Sequence, residues 1–155
     1  MIKQTAVIGF PIQHSISPKI HNYWISKYKL NISQYKKISV TPDNLGTFLQ
    51  QCKEDGYCGL NITIPHKQNM FELCDIVSET AAKLRAVNTV FFENGKIIGD
   101  NTDTVGFQNS IPKQIVKTNI VNQKTIVLGA GGSARSIIMM LKAMGSDVIV
   151  ANRTI

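Results

Sequence analysis

A glycine-rich turn in the last third of the sequence constrains the fold more than any other feature. The turn, residues 129–134, directly follows residues 125–128, an apolar and β-branched run with the character of a buried strand. Apolar residues then recur at helical spacing from Ala134 to Met144, and residues 147–151 return to strand character. The order of strand, G-x-G-x-x-A turn, helix and strand predicts a parallel βαβ unit.

This turn also predicts a dinucleotide site, because glycines let backbone N–H groups approach a pyrophosphate at a helix N-terminus. NAD-binding units usually carry an acidic residue after the second strand, but this sequence has Arg153 there. An arginine suits a 2′-phosphate, so the predicted cofactor is NADP; an ordinary surface role for Arg153 is the alternative. The residues predicted to bind the cofactor are Gly129, Ala130, Gly131, Gly132, Ser133, Ala134, Asn152, Arg153 and Thr154.

Upstream of this unit, strand-like runs alternate with helical stripes. Strands are predicted at residues 5–10, 34–40 and 59–64, with helices starting near Pro18 and Pro42. Asn94-Gly95 lies between two apolar runs and predicts a hairpin. We expect Ser17 to cap the helix that starts at Pro18. Helical packing is predicted for Met70, Phe71, Leu73, Ile76 and Val77. The fold class is therefore α/β, with a mixed, largely parallel sheet.

Residues 61–67, Asn-Ile-Thr-Ile-Pro-His-Lys, are the strongest candidate for a site in this upstream part. Ile62 and Ile64 alternate with Asn61 and Thr63, so we expect one apolar and one polar face. The proline that follows cannot donate to a sheet ladder, and the strand is expected to stop there. Lys67 then lies at the carboxyl end of a strand, where ligands of open α/β sheets bind. An ordinary strand-to-helix loop with an incidental lysine is the alternative.

Two further polar segments also end strands or open helices. Ser15 and Ser17 flank a predicted helix N-terminus, which is a natural seat for a carboxylate or phosphate. Asp103 lies in a polar run after the hairpin. It is either a helix-dipole partner or a carboxylate held toward the same strand end as Lys67.

Composition excludes several classes of protein. Among the 155 residues, 43% are hydrophobic and 17% are charged, which is typical of a globular protein. We predict no membrane span, because no apolar run reaches about 18 residues, and no secretory signal. The net charge of +7 is scattered without an arginine cluster, so we predict no nucleic-acid partner. Three cysteines without a C-x-x-C pair argue against disulfides and a metal site, and favour the cytoplasm.

Taken together, these motifs resemble the shikimate dehydrogenase family along the whole sequence. Six segments carry the resemblance: Gly9-x-Pro11-x-x-His14-Ser15-x-Ser17-Pro18-x-x-His21-Asn22, residues 61–67, Ala86-Val87-Asn88-Thr89, Gly99-x-Asn101-Thr102-Asp103-x-x-Gly106, residues 129–135 and Asn152-Arg153-Thr154. The resemblance implies a shikimate-binding catalytic domain at residues 1–111, a connector at 112–123 and a partial Rossmann-type NADP domain at 124–155.

The resemblance also implies roles for individual residues. Ser15 and Ser17 would hold the substrate carboxylate, while Thr63, Asn88 and Asp103 would bind ring hydroxyls. Lys67 and Asp103 would form the catalytic pair. The implied reaction is reversible NADPH-dependent reduction of 3-dehydroshikimate to shikimate, in aromatic amino-acid biosynthesis. A homodimer is left open.

Two departures from the family pattern create further expectations. Arg85 stands where the family usually has a glycine; the arginine is either a tolerated surface change or a change in the approach to Asn88. Family members are also much longer, so we expect the 155-residue chain alone to be weak or inactive and its last two strands to lack packing partners. Two alternatives to shikimate dehydrogenase remain: a quinate/shikimate dehydrogenase, and a truncated chain that binds substrate without turnover.

Overall fold

The computed structural model describes residues 3–112 and 120–153 and contains eight strands and six α-helices within those ranges. In chain order they are β1 (Gln4–Gly9), α1 (Ser17–Lys27), β2 (Lys36–Ser39), α2 (Leu45–Glu54), β3 (Tyr57–Ile62), α3 (Lys67–Leu73), β4 (Ile76–Val77), α4 (Glu79–Leu84), β5 (Thr89–Glu93), β6 (Lys96–Asp100), α5 (Asp103–Ser110), β7 (Lys124–Leu128), α6 (Gly132–Ala143) and β8 (Asp147–Ala151). A single 3₁₀ turn, Pro42–Asn44, leads into α2. None of the helices in these ranges is long and apolar enough to cross a bilayer.

The chain divides into two compact units, Met1–Asp100 and Asn101–Ile155. The first unit is built on a six-stranded sheet in the order β2-β1-β3-β5-β6-β4. Strand β1 pairs in parallel with β2 and β3, and β4 pairs in parallel with β6, whereas β5 is antiparallel to both of its neighbours. The predicted mixed, largely parallel sheet is confirmed. The predicted connector cannot be compared, because residues 113–119 lie outside the described ranges.

Burial follows the periodicities of the sequence. Leu45, Leu49 and Cys52 share one face of α2 and are almost completely buried against the sheet, as their spacing predicts. Residues of β1, β3 and β5 complete this core. On the other side of the sheet, a smaller cluster of Val7, Ile12 and Tyr35 packs against α1.

The hairpin predicted from Asn94-Gly95 is confirmed. Strands β5 and β6 pair from Thr89↔Asp100 to Glu93↔Lys96. The two loop residues have φ angles of 52° and 74°, the left-handed values that a type I′ turn requires.

Three local predictions are wrong. Ile76 and Val77 form β4 beside β6 instead of extending α3, because Asp75 anchors the segment: its carboxylate accepts the Ile97 N–H at 2.6 Å. Ile64 is 72% exposed, since β3 ends at Ile62 and the period-two alternation ends with it. Ser17 is the first residue of α1 and not its cap.

The second unit contains the predicted βαβ arrangement. Strands β7 and β8 are parallel, with Lys124 opposite Asp147 and Leu128 opposite Ala151. Val127 points into a cluster with Met140 and Leu141 of α6, to which α5 contributes Phe107. The opposite face of β7 is open, because Ile126 and Leu128 are 63% and 84% exposed.

Arg85 ends α4 in the left-handed conformation, with a φ of 49°. A glycine adopts this conformation without the steric cost that a Cβ imposes, which explains why a glycine is expected at this position. The arginine side chain is held by Glu72, at 2.9 Å, and lies over the Phe71 ring. Its long side chain therefore makes contacts that a glycine lacks.

We expect Arg85→Gly to be more stable than Arg85→Ala by about 1 kcal/mol, because both variants lose the side chain but only alanine keeps the left-handed strain. The free energy of unfolding, measured by urea denaturation, tests this. Lys83 lies within α4 and provides the control. There the order should reverse, with alanine more stable than glycine by about 0.5–1 kcal/mol. If Arg85→Gly is no more stable than Arg85→Ala, the left-handed backbone at residue 85 does not impose the expected cost.

Candidate functional site

The loops that follow β1 and β3 are joined at the carboxyl edge of the sheet. Phe10 donates its N–H to the Ile64 carbonyl at 3.0 Å, and Thr63 donates to the Ile8 carbonyl at 3.0 Å. Gly9 has no room for a side chain, since a Cβ there would lie 2.6 Å from Thr63 Cγ2 and 2.9 Å from the Ile64 carbonyl oxygen. The close approach of the two backbones places Thr63 beside the β1 loop.

Lys67 and Asn88 are attached to the same edge by their backbones. The Lys67 carbonyl accepts the Val87 N–H at 2.8 Å, and the Asn88 carbonyl accepts the Ile62 N–H at 2.8 Å. Asn88 in turn donates to the Asp100 carbonyl, and its side-chain oxygen accepts the Thr89 hydroxyl at 2.9 Å. The Asn88 side chain is 9% exposed. Thr63, Lys67 and Asn88 therefore surround the carboxyl end of β3, as the sequence predicts.

Ser15 and Ser17 lie at the N-terminus of α1. The Ser17 N–H points back to the Ser15 hydroxyl oxygen at 3.3 Å, so Ser15 does the capping that the sequence assigned to Ser17. The backbone explains the error: Ile16 occupies the cap position and its side chain has no hydrogen-bonding group. No acidic residue lies in the first turn of α1, which leaves the positive end of the helix suitable for an anion.

Tyr35 links α1 to β3 and was not identified from the sequence. Its hydroxyl donates to Asn61 Oδ1 at 2.6 Å, and the His21 ring stacks on its ring at 4.2 Å. Asn22 bonds both the Tyr35 N–H and the Tyr35 carbonyl. Burial raises the pKa of Tyr35 and lowers the pKa of His21, so both rings are neutral near pH 7. His21 and Asn22 stand in the N-terminal motif, but nothing in that motif points to a tyrosine 13 residues beyond Asn22.

We expect Tyr35→Phe to lower the free energy of unfolding by about 1–2 kcal/mol, because Asn61 Oδ1 then loses its donor inside the protein. The exposed Tyr28 supplies the matched control: Tyr28→Phe should change the free energy by less than about 0.5 kcal/mol. Urea denaturation measures both. Equal effects of the two substitutions contradict the role given to the Tyr35–Asn61 hydrogen bond.

Two of the cysteines in this unit, Cys52 and Cys74, are not activated. Burial and the nearby Asp55 raise the pKa of Cys52 to about 12, and burial with Asp75 raises the pKa of Cys74 to about 11. Both are therefore neutral thiols near pH 7, without the thiolate that nucleophilic chemistry needs. All three cysteines are free. Within residues 3–112 and 120–153, no three His, Cys, Asp or Glu side chains are grouped as metal ligands.

In the second unit, Asp103 begins α5. Its N–H donates to the side-chain oxygen of Asn101 at 3.0 Å, so the asparagine caps the helix and the carboxylate lies in its first turn. A groove of about 490 Å³ between α5 and α6 is lined by Asp103, Gly106 and Phe107 from one side and by Ser133 and Ile137 from the other. Asp103 therefore shares a groove with the glycine-rich turn.

The glycine-rich turn lies between β7 and the N-terminus of α6. Gly129 has a φ of +106° and donates its N–H to the Ala151 carbonyl at 2.7 Å. Gly131 is the N-cap of α6, and a Cβ built on it would meet nothing within 4 Å. The space above the helix N-terminus is thus open to a ligand. The turn fits the dinucleotide predicted from the sequence.

The second predicted cofactor segment follows β8. Because β7 and β8 are parallel neighbours, Asn152 and Arg153 emerge at the same edge as the glycine turn. Both residues are exposed. Thr154, the third residue of this segment, lies outside the described ranges.

The fold and the candidate site define an α/β protein in which a group of polar residues at the carboxyl ends of strands is followed by a βαβ unit of the Rossmann type. Residues 7–90 match the family model of the shikimate dehydrogenase substrate binding domain. The chain belongs to the shikimate dehydrogenase family.

Individual relatives agree with this assignment. The chain is 43% identical to a shikimate dehydrogenase (NADP(+)) of Pelagibacter ubique, over 99% of this chain and 57% of the relative. The crystal structure of shikimate dehydrogenase from Aquifex aeolicus has a TM-score of 0.91 at 39% identity, over 98% of this chain and 56% of that one. Shikimate 5-dehydrogenase from Thermus thermophilus, in complex with NADP(H) and shikimate, has a TM-score of 0.85 at 32% identity, over 98% and 56%. The chain spans about half the length of the curated relatives it matches.

Proposed function

We propose that the protein is an NADP-dependent shikimate dehydrogenase, which reversibly reduces 3-dehydroshikimate to shikimate in aromatic amino-acid biosynthesis. The observation that carries the proposal is the arrangement of Thr63, Lys67 and Asn88 around the carboxyl end of β3 in the unit that matches the substrate-binding family model. Relatives named shikimate dehydrogenase (NADP(+)) and a related structure with NADP(H) and shikimate support it. We place the protein in the cytoplasm, because its three cysteines are free.

In this proposal, polar side chains at the start of α1 and around the end of β3 bind the substrate. Ser15 and Ser17 bind its carboxylate at the N-terminus of α1, where the helix dipole favours an anion. Thr63 and Asn88 bind ring hydroxyls, because a threonine hydroxyl and an asparagine amide can each donate and accept. Lys67 adds a positive charge.

The proposed catalytic pair is Lys67 and Asp103. NADP, when bound, supplies the hydride chemistry at the substrate carbon that carries the reacting oxygen. Reduction of the carbonyl also needs a proton at that oxygen, and oxidation of the hydroxyl releases one. Lys67 delivers or accepts this proton, and Asp103 hydrogen-bonds the same hydroxyl and moves the proton onward.

The proposed cofactor seat is the second unit, with the pyrophosphate over the backbone N–H groups of the glycine turn and the 2′-phosphate at Arg153. Support comes from the open space above Gly131 and from the emergence of Asn152-Arg153 at the same edge. The groove lined by both Asp103 and Ser133 supports a cofactor seat close to this proposed catalytic residue.

The experiment that tests the proposed function is the formation of NADPH from NADP⁺ and shikimate by the purified full-length protein, since the 155-residue chain alone is expected to be weak or inactive. We expect shikimate-dependent NADPH formation, with a lower rate when quinate replaces shikimate. An equal rate with quinate indicates a quinate/shikimate dehydrogenase. Shikimate binding without NADPH formation, measured by calorimetry, indicates a substrate-binding chain without turnover. The absence of both shikimate binding and NADPH formation contradicts the proposal.

A further inference from the structure

His66 stands between the cis-Pro65 bond and Lys67, at a position that the family motif leaves open. Its side chain is completely buried, one of the few polar side chains in the described core. The Nε2 atom lies 2.7 Å from the Val40 carbonyl oxygen, whereas Nδ1 is buried without a hydrogen-bond partner among the described residues. The proposed proton relay does not use this ring.

The contacts define the protonation of the ring. A carbonyl oxygen only accepts, so Nε2 carries the hydrogen, and in the neutral ring Nδ1 is then an unprotonated acceptor. A buried acceptor without a partner destabilises the folded protein, so it lowers the free energy of unfolding. A phenyl ring of similar size would avoid this destabilisation, but it would leave the Val40 carbonyl without its donor. The Nε2–H donor is what the imidazole adds.

The His66 Nε2–H hydrogen bond connects the segment that carries Lys67 to the end of β2. Val40 directly follows β2, and its own N–H donates to the Gly9 carbonyl at 3.2 Å, so it is itself attached to β1. On the other side of His66, the Lys67 carbonyl accepts the Val87 N–H at 2.8 Å. The backbone at Lys67 is thus held between the ends of β1 and β2 and the segment that carries Asn88.

We infer that His66 is a positioning residue for Lys67: its Nε2–H anchors the segment that carries Lys67 to the Val40 carbonyl. The inference rests on the proposed function for the chemical role of Lys67, but the anchor itself does not depend on it. Misplacement of a catalytic group by about 1 Å lowers turnover by up to about 10²-fold, so a residue that fixes the loop affects the rate without touching substrate.

Hydrogen exchange of the Val87 amide tests the anchor independently of activity. Two variants are compared: His66→Phe keeps a ring but has no donor, and His66→Gln keeps an N–H donor near the Nε2 position. In His66→Phe we expect Val87 exchange to be about tenfold faster, the change that corresponds to one lost hydrogen bond. Amides of the β3–β5 ladder should keep their wild-type rates. His66→Gln should stay within about twofold of wild type at Val87.

Several outcomes overturn the inference. Unchanged Val87 exchange in His66→Phe, or equal acceleration across the β3–β5 ladder, shows a role in global stability only. Nitrogen NMR of the wild-type ring provides a check that needs no variant, and an unprotonated Nε2 also overturns the inference. If His66→Phe does not fold, His66→Asn, whose shorter side chain does not reach Val40, replaces it.

Kinetics with shikimate and NADP⁺ connect the anchor to the reaction. In His66→Phe, kcat should fall about 10- to 100-fold with an unchanged KM for shikimate, and His66→Gln should restore most of kcat. A rise in KM alone, or a loss of kcat that glutamine does not restore, contradicts positioning of Lys67. Absence of turnover in the wild type counts against the proposed function and not against the anchor, which the Val87 exchange decides.

Discussion

Replacing Lys67 with alanine is expected to lower the turnover of shikimate about 10²- to 10⁴-fold, the range that general acid–base groups contribute. This corresponds to about 2.7–5.4 kcal/mol of activation free energy. The reason is that the hydroxyl proton then loses its partner at the carboxyl end of β3, while Ser15, Ser17, Thr63 and Asn88 still bind the substrate. The measurement is kcat for NADPH formation together with the dissociation constant of shikimate, which should change little.

Lys83 provides the matched control for this substitution. It lies on α4 with an exposed side chain that pairs with Glu79 on the surface, so Lys83→Ala removes the same charge without approaching β3. We expect its kcat to stay within about twofold of wild type, because surface substitutions have small effects. Near-normal turnover in Lys67→Ala, or an equal loss in both variants, removes Lys67 from the catalytic pair.

Removal of the Arg153 guanidinium is expected to weaken the proposed preference for NADP⁺ over NAD⁺. Hydrogen bonds to charged groups contribute about 1.5–3 kcal/mol, so Arg153→Ala should raise the KM for NADP⁺ about 10- to 100-fold. The KM for NAD⁺, which lacks the 2′-phosphate, and kcat with saturating NADP⁺ should change little. Steady-state kinetics with both cofactors measure the difference.

Lys142 is the control for Arg153. It is an exposed cation near the C-terminal end of α6, at the opposite end of that helix from the glycine turn. Lys142→Ala should leave the KM values for both cofactors within about twofold of wild type. If Arg153→Ala changes the KM for NADP⁺ and NAD⁺ equally, the arginine does not recognise the 2′-phosphate.

The sequence predicts much of the fold because the decisive signals are local. The Asn94-Gly95 hairpin and the apolar face of α2 depend only on residues close in sequence. Strand β4 was missed because a two-residue strand is too short for any periodicity, and it forms only where Asp75 meets Ile97. The exposure of Ile64 likewise depends on where β3 ends, which its pairing with β1 and β5 decides.

The candidate site likewise contains some features that the sequence predicts and others that it does not. Thr63, Lys67 and Asn88 were predictable because strand ends converge in α/β sheets and the motifs are in order. The Tyr35–Asn61 bond and the His66–Val40 anchor were not predictable, because each joins residues 26 positions apart in sequence. No local pattern distinguishes a tyrosine or histidine with such a contact from one without it. The capping role of Ser15 was missed for another reason, since Ser17 and Ser15 both fit the pattern of a helix N-terminus.

The most direct test of the central claim is an NMR titration of the ¹⁵N-labelled protein with shikimate. The account predicts saturable shifts for the amides in three segments: residues 15–17 at the N-terminus of α1, residues 63, 64, 66 and 67 after β3, and residues 87–88 before β5. Amides on the hairpin turn at Asn94-Gly95 should not move. Shikimate that shifts none of the three segments, or binds only elsewhere in the protein, contradicts the account.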